Sequence, residues 1–178
     1  MKALLVVAQT GFQPKEYNNT RKEIEEAGIT VKVASFEKGE AFDNNENKIT
    51  VDYAIKDIKT NEWDAIVLIG GPGAAKQFIG NPEIHRVVMD ANNDEKKVAA
   101  ICISPLAVAE TGLLKERKAT MWNGDGKQAE KIASHGAIYD AGPVVMDTRF
   151  ITANGPEAAT EFGKKIVSAL KEGVEHTA

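Results

Sequence analysis

The sequence predicts one doubly wound α/β domain over residues 1–178. Three apolar runs, KALLVVAQ, DAIVLIGG and KVAAICI, have strand length and little polar alternation, which suits strands buried on both faces. Helical segments separate them, punctuated by proline at the start and glycine at the end. Strands alternating with helices imply right-handed crossovers and a mostly parallel sheet covered on both sides. A chain of 178 residues is long enough for one sizeable core and too short for two ordinary domains.

The elements follow in order. KALLVVAQ is the first strand, and PKEYNNTRKEIEEAG is a helix opened by Pro14 and closed at Gly28. ITVKVASF is the second strand, and GEAFDNNENKITVDYAI reads as a hairpin with NNEN as its polar tip. DAIVLIGG is a buried strand leading into the loop GGPGAA. NPEIHRVVMDANNDE is a helix with Asn81 as cap and Pro82 in its first turn. KVAAICI, the short helix PLAVAETG and a strand KATMW come next, then a helix near GKQAEKIASHG. The hairpin PVVMDTRFITA and the helix GPEAATEFGKKIVSALKEG complete the chain. No internal repeat or low-complexity linker interrupts it.

Composition narrows the function classes. Hydrophobic residues make up 43%, charged residues 27%, and the net charge is −4 without a basic block. Nucleic acid is therefore not an expected partner, and no apolar run is long enough to predict a membrane span. MKALLVVAQTG reads as a first strand rather than a signal peptide, so a cytoplasmic location is the expectation. The one cysteine, Cys102, cannot form an internal disulfide. No zinc-ligand spacing or dinucleotide fingerprint is present, so neither a metal nor a cofactor is expected.

In open α/β sheets, sites form beyond the carboxyl ends of the strands. Three loops stand there: QTGFQPKE, GGPGAA and CISP. Cys102 ends its strand, Ser104 is placed to cap the next helix, and Pro105 suits that helix's first position, leaving Ile103 to turn the chain. So sharp a strand-to-helix elbow would present the sulfur to backbone N–H groups, which favour the thiolate. A buried cysteine acting as small apolar filler fits the same pattern, and a dry site would raise the thiol pKa instead. GGPGAA reads as a phosphate cradle, as a tight turn, or as the source of a Gly71 N–H for an oxyanion. Glu16, in the first helical turn, either complements the helix dipole or meets Cys102, in which case the pair holds one proton. His85 on a helix surface, His135 at a helix end and His176 in the C-terminal tail offer no cysteine–histidine dyad. Trp122 is packing or a pocket wall.

The stretches KALLVVAQTGFQPKE, DAIVLIGGPGAA, AAICISPLAVAETGLLKERKAT and FITANGPEAATEFGKKIVSAL resemble, in the same order, those of the DJ-1/PfpI (ThiJ) superfamily. The resemblance implies a flavodoxin-like three-layer sandwich, a homodimer or larger homo-oligomer, and no organic cofactor. It assigns Cys102 as the elbow cysteine, Glu16 as the acid that hydrogen-bonds it, and the N–H groups of Gly71 and Ile103 as oxyanion donors. Trp122, Ser104, Asn154 and Gly155 are expected around the pocket. The chain departs from the family pattern where Ile103 follows the cysteine and Trp122 ends the next strand, both places where relatives carry histidine. Ser104 stands for a common glycine, and Asn154 for a basic residue.

The resemblance implies a glutathione-independent glyoxalase or deglycase-like enzyme for small reactive carbonyls. The alternative is a redox sensor in stress response, through oxidation of Cys102. A cysteine peptidase or amidase lacks the histidine base it would need, and an inactive pocket is the remaining reading.

Overall fold

The computed structural model describes residues 1–177, with side-chain surroundings through residue 172. The first half contains β1 (Lys2–Val6), β2 (Thr10–Phe12), α1 (Pro14–Glu26), β3 (Thr30–Ser35), β4 (Gly39–Asp43), β5 (Lys48–Val51), β6 (Tyr53–Ala54), β7 (Ala65–Leu68) and α2 (Pro72–Gln77). The second half contains α3 (Pro82–Asn93), β8 (Lys97–Ile101), α4 (Pro105–Ala109), β9 (Lys118–Ala119), α5 (Gln128–Ser134), β10 (Ile138–Tyr139), β11 (Val144–Asp147), β12 (Phe150–Ala153) and α6 (Ala159–Thr177).

Seven strands form the central sheet in the order β11-β12-β8-β7-β1-β3-β6. Every neighbouring pair is parallel except β11 with β12, the predicted hairpin. The apolar runs are buried along their length: Leu4, Leu5, Ile66, Val67, Leu68 and Ile101 have no exposed surface. The path β1–α1–β3 crosses the sheet one way and β7–α3–β8 the other. Right-handed crossovers therefore put α1 and α3 on opposite faces. α6 packs along α1 and closes the first face. The order in which strands are added reverses between β1 and β7, and that switch point opens the crevice where such sheets hold their sites.

Capping follows the sequence. Asn81 Oδ1 accepts from the Glu83 and Ile84 N–H groups at 2.9 and 3.3 Å, with Pro82 at the first helical position. Gln13 caps α1 in the same way, its Oε1 accepting from the Glu16 N–H at 2.8 Å. Among the described residues no helix is long and apolar enough to cross a membrane, and no acidic, histidine or cysteine cluster could hold a metal ion.

Several expectations need correction. GGPGAA is not a loop throughout, because α2 begins at Pro72. KATMW is strand only over Lys118–Ala119, and this piece pairs with β10 outside the central sheet. Its remainder bends away: the Thr120 N–H donates to Thr152 Oγ1 at 2.9 Å and the Trp122 N–H to the Cys102 carbonyl at 2.9 Å. The segment TGF forms β2, which pairs with β4 beside the predicted hairpin of β4 and β5. His176 falls within α6 rather than in a tail.

The glycines after β7 allow three segments to meet. A Cβ at Gly73 would overlap the Thr10 carbonyl oxygen, which is backbone and cannot swing aside. At Gly80 a Cβ meets nothing within 4 Å, and only the positive φ of 73° opposes it. Gly73→Ala should therefore lower the unfolding free energy by about 3 kcal/mol or more, as overpacking does. Gly80→Ala should cost about 1–2 kcal/mol. Urea denaturation of the two variants checks the order, and equal losses would contradict the close approach.

Candidate active site

The loops after β1, β7 and β8 converge at the crevice. Cys102 directly follows β8 and adopts a φ of 64°, a left-handed conformation that a residue with a Cβ takes only at a cost of about 1–2 kcal/mol. Two backbone hydrogen bonds hold it there. Its N–H donates to the Ala153 carbonyl at 2.9 Å, and its carbonyl accepts from the Trp122 N–H at 2.9 Å. The elbow is thus fastened to the end of β12 and to the bend after β9.

Ser104 does not cap α4. Its buried hydroxyl donates instead to the Ile69 carbonyl at 2.9 Å, tying the elbow to the end of β7. It lies beneath the site and does not line the pocket, a correction to its expected place there.

Glu16 sits in the first turn of α1 with no exposed surface. Oε1 accepts from the Gly70 N–H at 3.0 Å. A Cβ at Gly70 would lie 2.6 Å from Cys102 Cβ, 2.6 Å from the Ile101 carbonyl oxygen and 2.7 Å from Glu16 Oε1. The acid and the cysteine therefore crowd around one residue that has no side chain. Their contact is electrostatically close without being a well-formed hydrogen bond. Each group shifts the other, yet Oε2 is buried with no partner.

Burial raises the Glu16 pKa to about 7, while the Gly70 N–H and the Cys102 thiol pull it down. The Cys102 thiol is pushed up, first by burial and then by the charge of the adjacent Glu16. The N–H groups of Ile103 and Gly71 act in the opposite direction. Of the two outcomes the sequence left open, the thiol follows the dry-site one. Two backbone donors and a five-residue helix do not outweigh burial beside a carboxylate. The thiol therefore keeps its proton through neutral pH, and the pair passes from two protons to one as Glu16 ionises near pH 7.

The thiol opens into a pocket of about 280 Å³ lined by Gln13, Gly71, Pro72, Ala75, Cys102, Ile103, Trp122 and Pro156. Asn154 and Gly155 line a separate groove on the other side of Trp122, so they do not face the thiol pocket. A larger hollow of about 590 Å³, bounded by Thr10, Asp43 and Lys76, lies across Pro72 and contains no cysteine. The site follows the chemistry rather than the largest volume. Sequence reasoning missed Gln13, Pro72, Ala75 and Pro156; each neighbours a predicted residue or a helix start, and that adjacency was the available signal. His85 is engaged elsewhere, 3.1 Å from Glu110. No histidine lines the thiol pocket among the described residues.

The model of the DJ-1/PfpI family matches residues 1–169. An uncharacterized protein of Methanocaldococcus jannaschii is 35% identical over 98% of this chain and 84% of its own length. A glutathione-independent glyoxalase of Caenorhabditis elegans is 34% identical over 73% of this chain and 67% of its own. The crystal structure of a ThiJ/PfpI domain protein from Brachyspira murdochii superposes with a TM-score of 0.89 at 26% identity, covering 96% of each chain.

Because Cys102 is the one cysteine, alkylation reads its ionisation cleanly. The rate of carboxamidomethylation against pH should show a midpoint above the free-thiol value of about 8.5. Glu16→Gln removes the negative charge beside the sulfur and should lower that midpoint. A midpoint that stays or rises in the variant would show that Glu16 does not couple to the thiol.

Proposed function

The chain belongs to the DJ-1/PfpI family, and from that premise we propose a glutathione-independent glyoxalase-type enzyme acting on small reactive carbonyls. One observation carries the reading: a fully buried carboxyl, Glu16, crowds Cys102 around the side-chain-free Gly70, and burial raises its pKa to about 7. A base with a pKa near the working pH is the most effective proton carrier. The high thiol pKa is no obstacle, because Glu16 takes the proton as the sulfur adds. The kinship with the Caenorhabditis elegans glyoxalase supports the same chemistry.

For a 2-oxoaldehyde the steps are these. Cys102 Sγ bonds to the aldehyde carbon, the C=O pair moves to oxygen, and Glu16 accepts the thiol proton. The N–H groups of Gly71 and Ile103 hold the oxyanion until Glu16 returns that proton, giving the hemithioacetal. Glu16 then removes the proton from the former aldehyde carbon to give an enediolate and returns it to the adjacent carbon, while the hydroxyl proton passes from the first oxygen to the second, leaving a 2-hydroxy thioester. Water adds to the thioester carbonyl, the C–S bond breaks, and the 2-hydroxy acid leaves with the thiol restored. The net reaction is addition of one water to the oxoaldehyde.

A redox-sensing reading has one observation in its favour: the same two N–H groups suit the oxygens of an oxidised sulfur. The raised thiol pKa weighs against it, since peroxide reacts with the thiolate. A peptidase is disfavoured by Ile103, which places an alkyl group where a histidine base would stand.

Methylglyoxal conversion to lactate, followed by proton NMR, should fall by roughly a thousandfold or more in Cys102→Ala. In Glu16→Gln the loss should be about a hundredfold to ten-thousandfold. Undiminished turnover in Cys102→Ala would overturn the reading. No turnover by the native protein, together with stoichiometric gain of oxygen at Cys102 under limiting peroxide, would transfer the assignment to the sensor.

A further inference from the structure

The walls of the thiol pocket are almost wholly apolar. Gly71, Pro72, Ala75, Ile103, Trp122 and Pro156 supply them, and Gln13 and Cys102 are the only polar side chains. Gln13 Oε1 is already engaged by the Glu16 N–H. No lysine, arginine or histidine lines the pocket among the described residues. The cations nearby in the fold are occupied or set apart: Lys15 pairs with Glu157 at 2.8 Å, and Lys76 lines the hollow across Pro72. A carboxylate or phosphate entering here would lose its water beside buried Glu16 with no counter-charge, which is strongly unfavourable. The volume of about 280 Å³ exceeds what methylglyoxal fills.

Trp122 is built into this wall rather than draped over it. A Cβ at Gly124 would lie 2.7 Å from Cζ2, 2.8 Å from Cε2 and 2.9 Å from Nε1 of the indole, so the turn backbone lies against the ring. A Cβ at Gly155 would lie 4.0 Å from Cδ1, in ordinary van der Waals contact with the ring. Asn123 Oδ1 accepts from the Gln128 and Ala129 N–H groups at 2.9 and 3.0 Å and anchors that turn to α5. The Trp122 N–H donates to the Cys102 carbonyl, so the ring is registered to the sulfur. With 37% of the residue exposed, the indole has surface free for a ligand. A ring held in place stacks on a flat apolar group with little ordering cost.

We propose that Trp122 is the specificity-determining residue of the thiol pocket and selects uncharged carbonyl compounds bearing an aromatic or branched apolar substituent. The inference rests on the carbonyl-directed reading and narrows its substrate class.

Alkylation of the lone thiol tests it independently of turnover. N-benzyl-iodoacetamide, iodoacetamide and iodoacetate each form an S–C bond with release of iodide. Their rates with the protein, at one pH, are divided by their rates with a small free thiol, so thiol ionisation cancels in the comparison. The native protein should favour the benzyl reagent over iodoacetamide by about tenfold and disfavour iodoacetate by about tenfold, the scale of one well-placed apolar contact or one unpaired charge. Trp122→Ala should abolish the benzyl preference, Gly124→Ala should weaken it by displacing the ring, and Trp122→Phe should restore most of it. Circular dichroism checks that each variant is folded. The ratio of kcat/KM for phenylglyoxal to that for methylglyoxal should fall about tenfold in Trp122→Ala. Turnover of both oxoaldehydes with ratios indifferent to Trp122 overturns this inference alone. Benzyl selectivity that depends on Trp122, in a protein converting neither oxoaldehyde, overturns the glyoxalase reading and leaves Trp122 as the selector at the thiol.

Discussion

Three stretches of chain pass within van der Waals distance of one another beside the Cys102 sulfur because positions 70, 71 and 73 carry no Cβ. At Gly71 a Cβ would sit 2.5 Å from the Gln13 nitrogen; at Gly70 it would strike the cysteine, the acid and the end of β8 together. Removing that bulk lets the loop after β1 lie against the loop after β7, and lets the β8 elbow close over both. The Gly70 N–H then reaches Glu16, the Gln13 N–H reaches the Gly70 carbonyl at 3.0 Å, and Ser104 reaches Ile69. Each bond is worth about 1 kcal/mol, or about 1.5–3 kcal/mol where a charge takes part. The contact itself fixes which groups face the sulfur.

That enclosure decides the electrostatics. A thiol at a strand-to-helix turn has N–H groups aimed at it, and on a wet surface they would favour the thiolate. Here the same closeness removes water and adds a carboxyl. Desolvation is the largest influence on both groups and drives both pKa values upward. The outcome is a coupled acid and thiol with one proton to exchange, a better arrangement for handing protons back and forth than for holding a standing anion.

Much of the fold was legible because continuous apolar runs of strand length, bounded by turn residues, suit doubly buried strands, and because Pro14, Pro82 and Asn81 mark helix starts by removing or satisfying N–H groups. Cys102, Glu16, Gly71 and Ile103 were placed by resemblance, and the structure brings them together. What escaped was set by distant partners. The two residues of β6 lie within the segment read as the second strand of the hairpin, yet they pair with the end of β3. KATMW has strand composition, yet its last amides find Thr152 and Cys102 instead of a ladder. Ser104 stands where a capping serine would, yet its hydroxyl donates to the Ile69 carbonyl and accepts from no helix N–H. Asn154 and Gly155 are close to the pocket in sequence, and Trp122 comes between them and the thiol. No single-residue rule reports which side of an indole a neighbour occupies.

The orphaned Oε2 of Glu16 has a consequence for anyone engineering this scaffold. A buried carboxyl with one oxygen unsatisfied is a site where an apolar side chain of similar volume would fit the interior better. A screen rewarding only heat resistance would enrich replacements at position 16 wherever the gain in packing outweighs the acceptor lost to the Gly70 N–H, and would discard the proton carrier unnoticed. Thermostable descendants of this chain should be sequenced at that codon before their silence toward a substrate is blamed on the substrate.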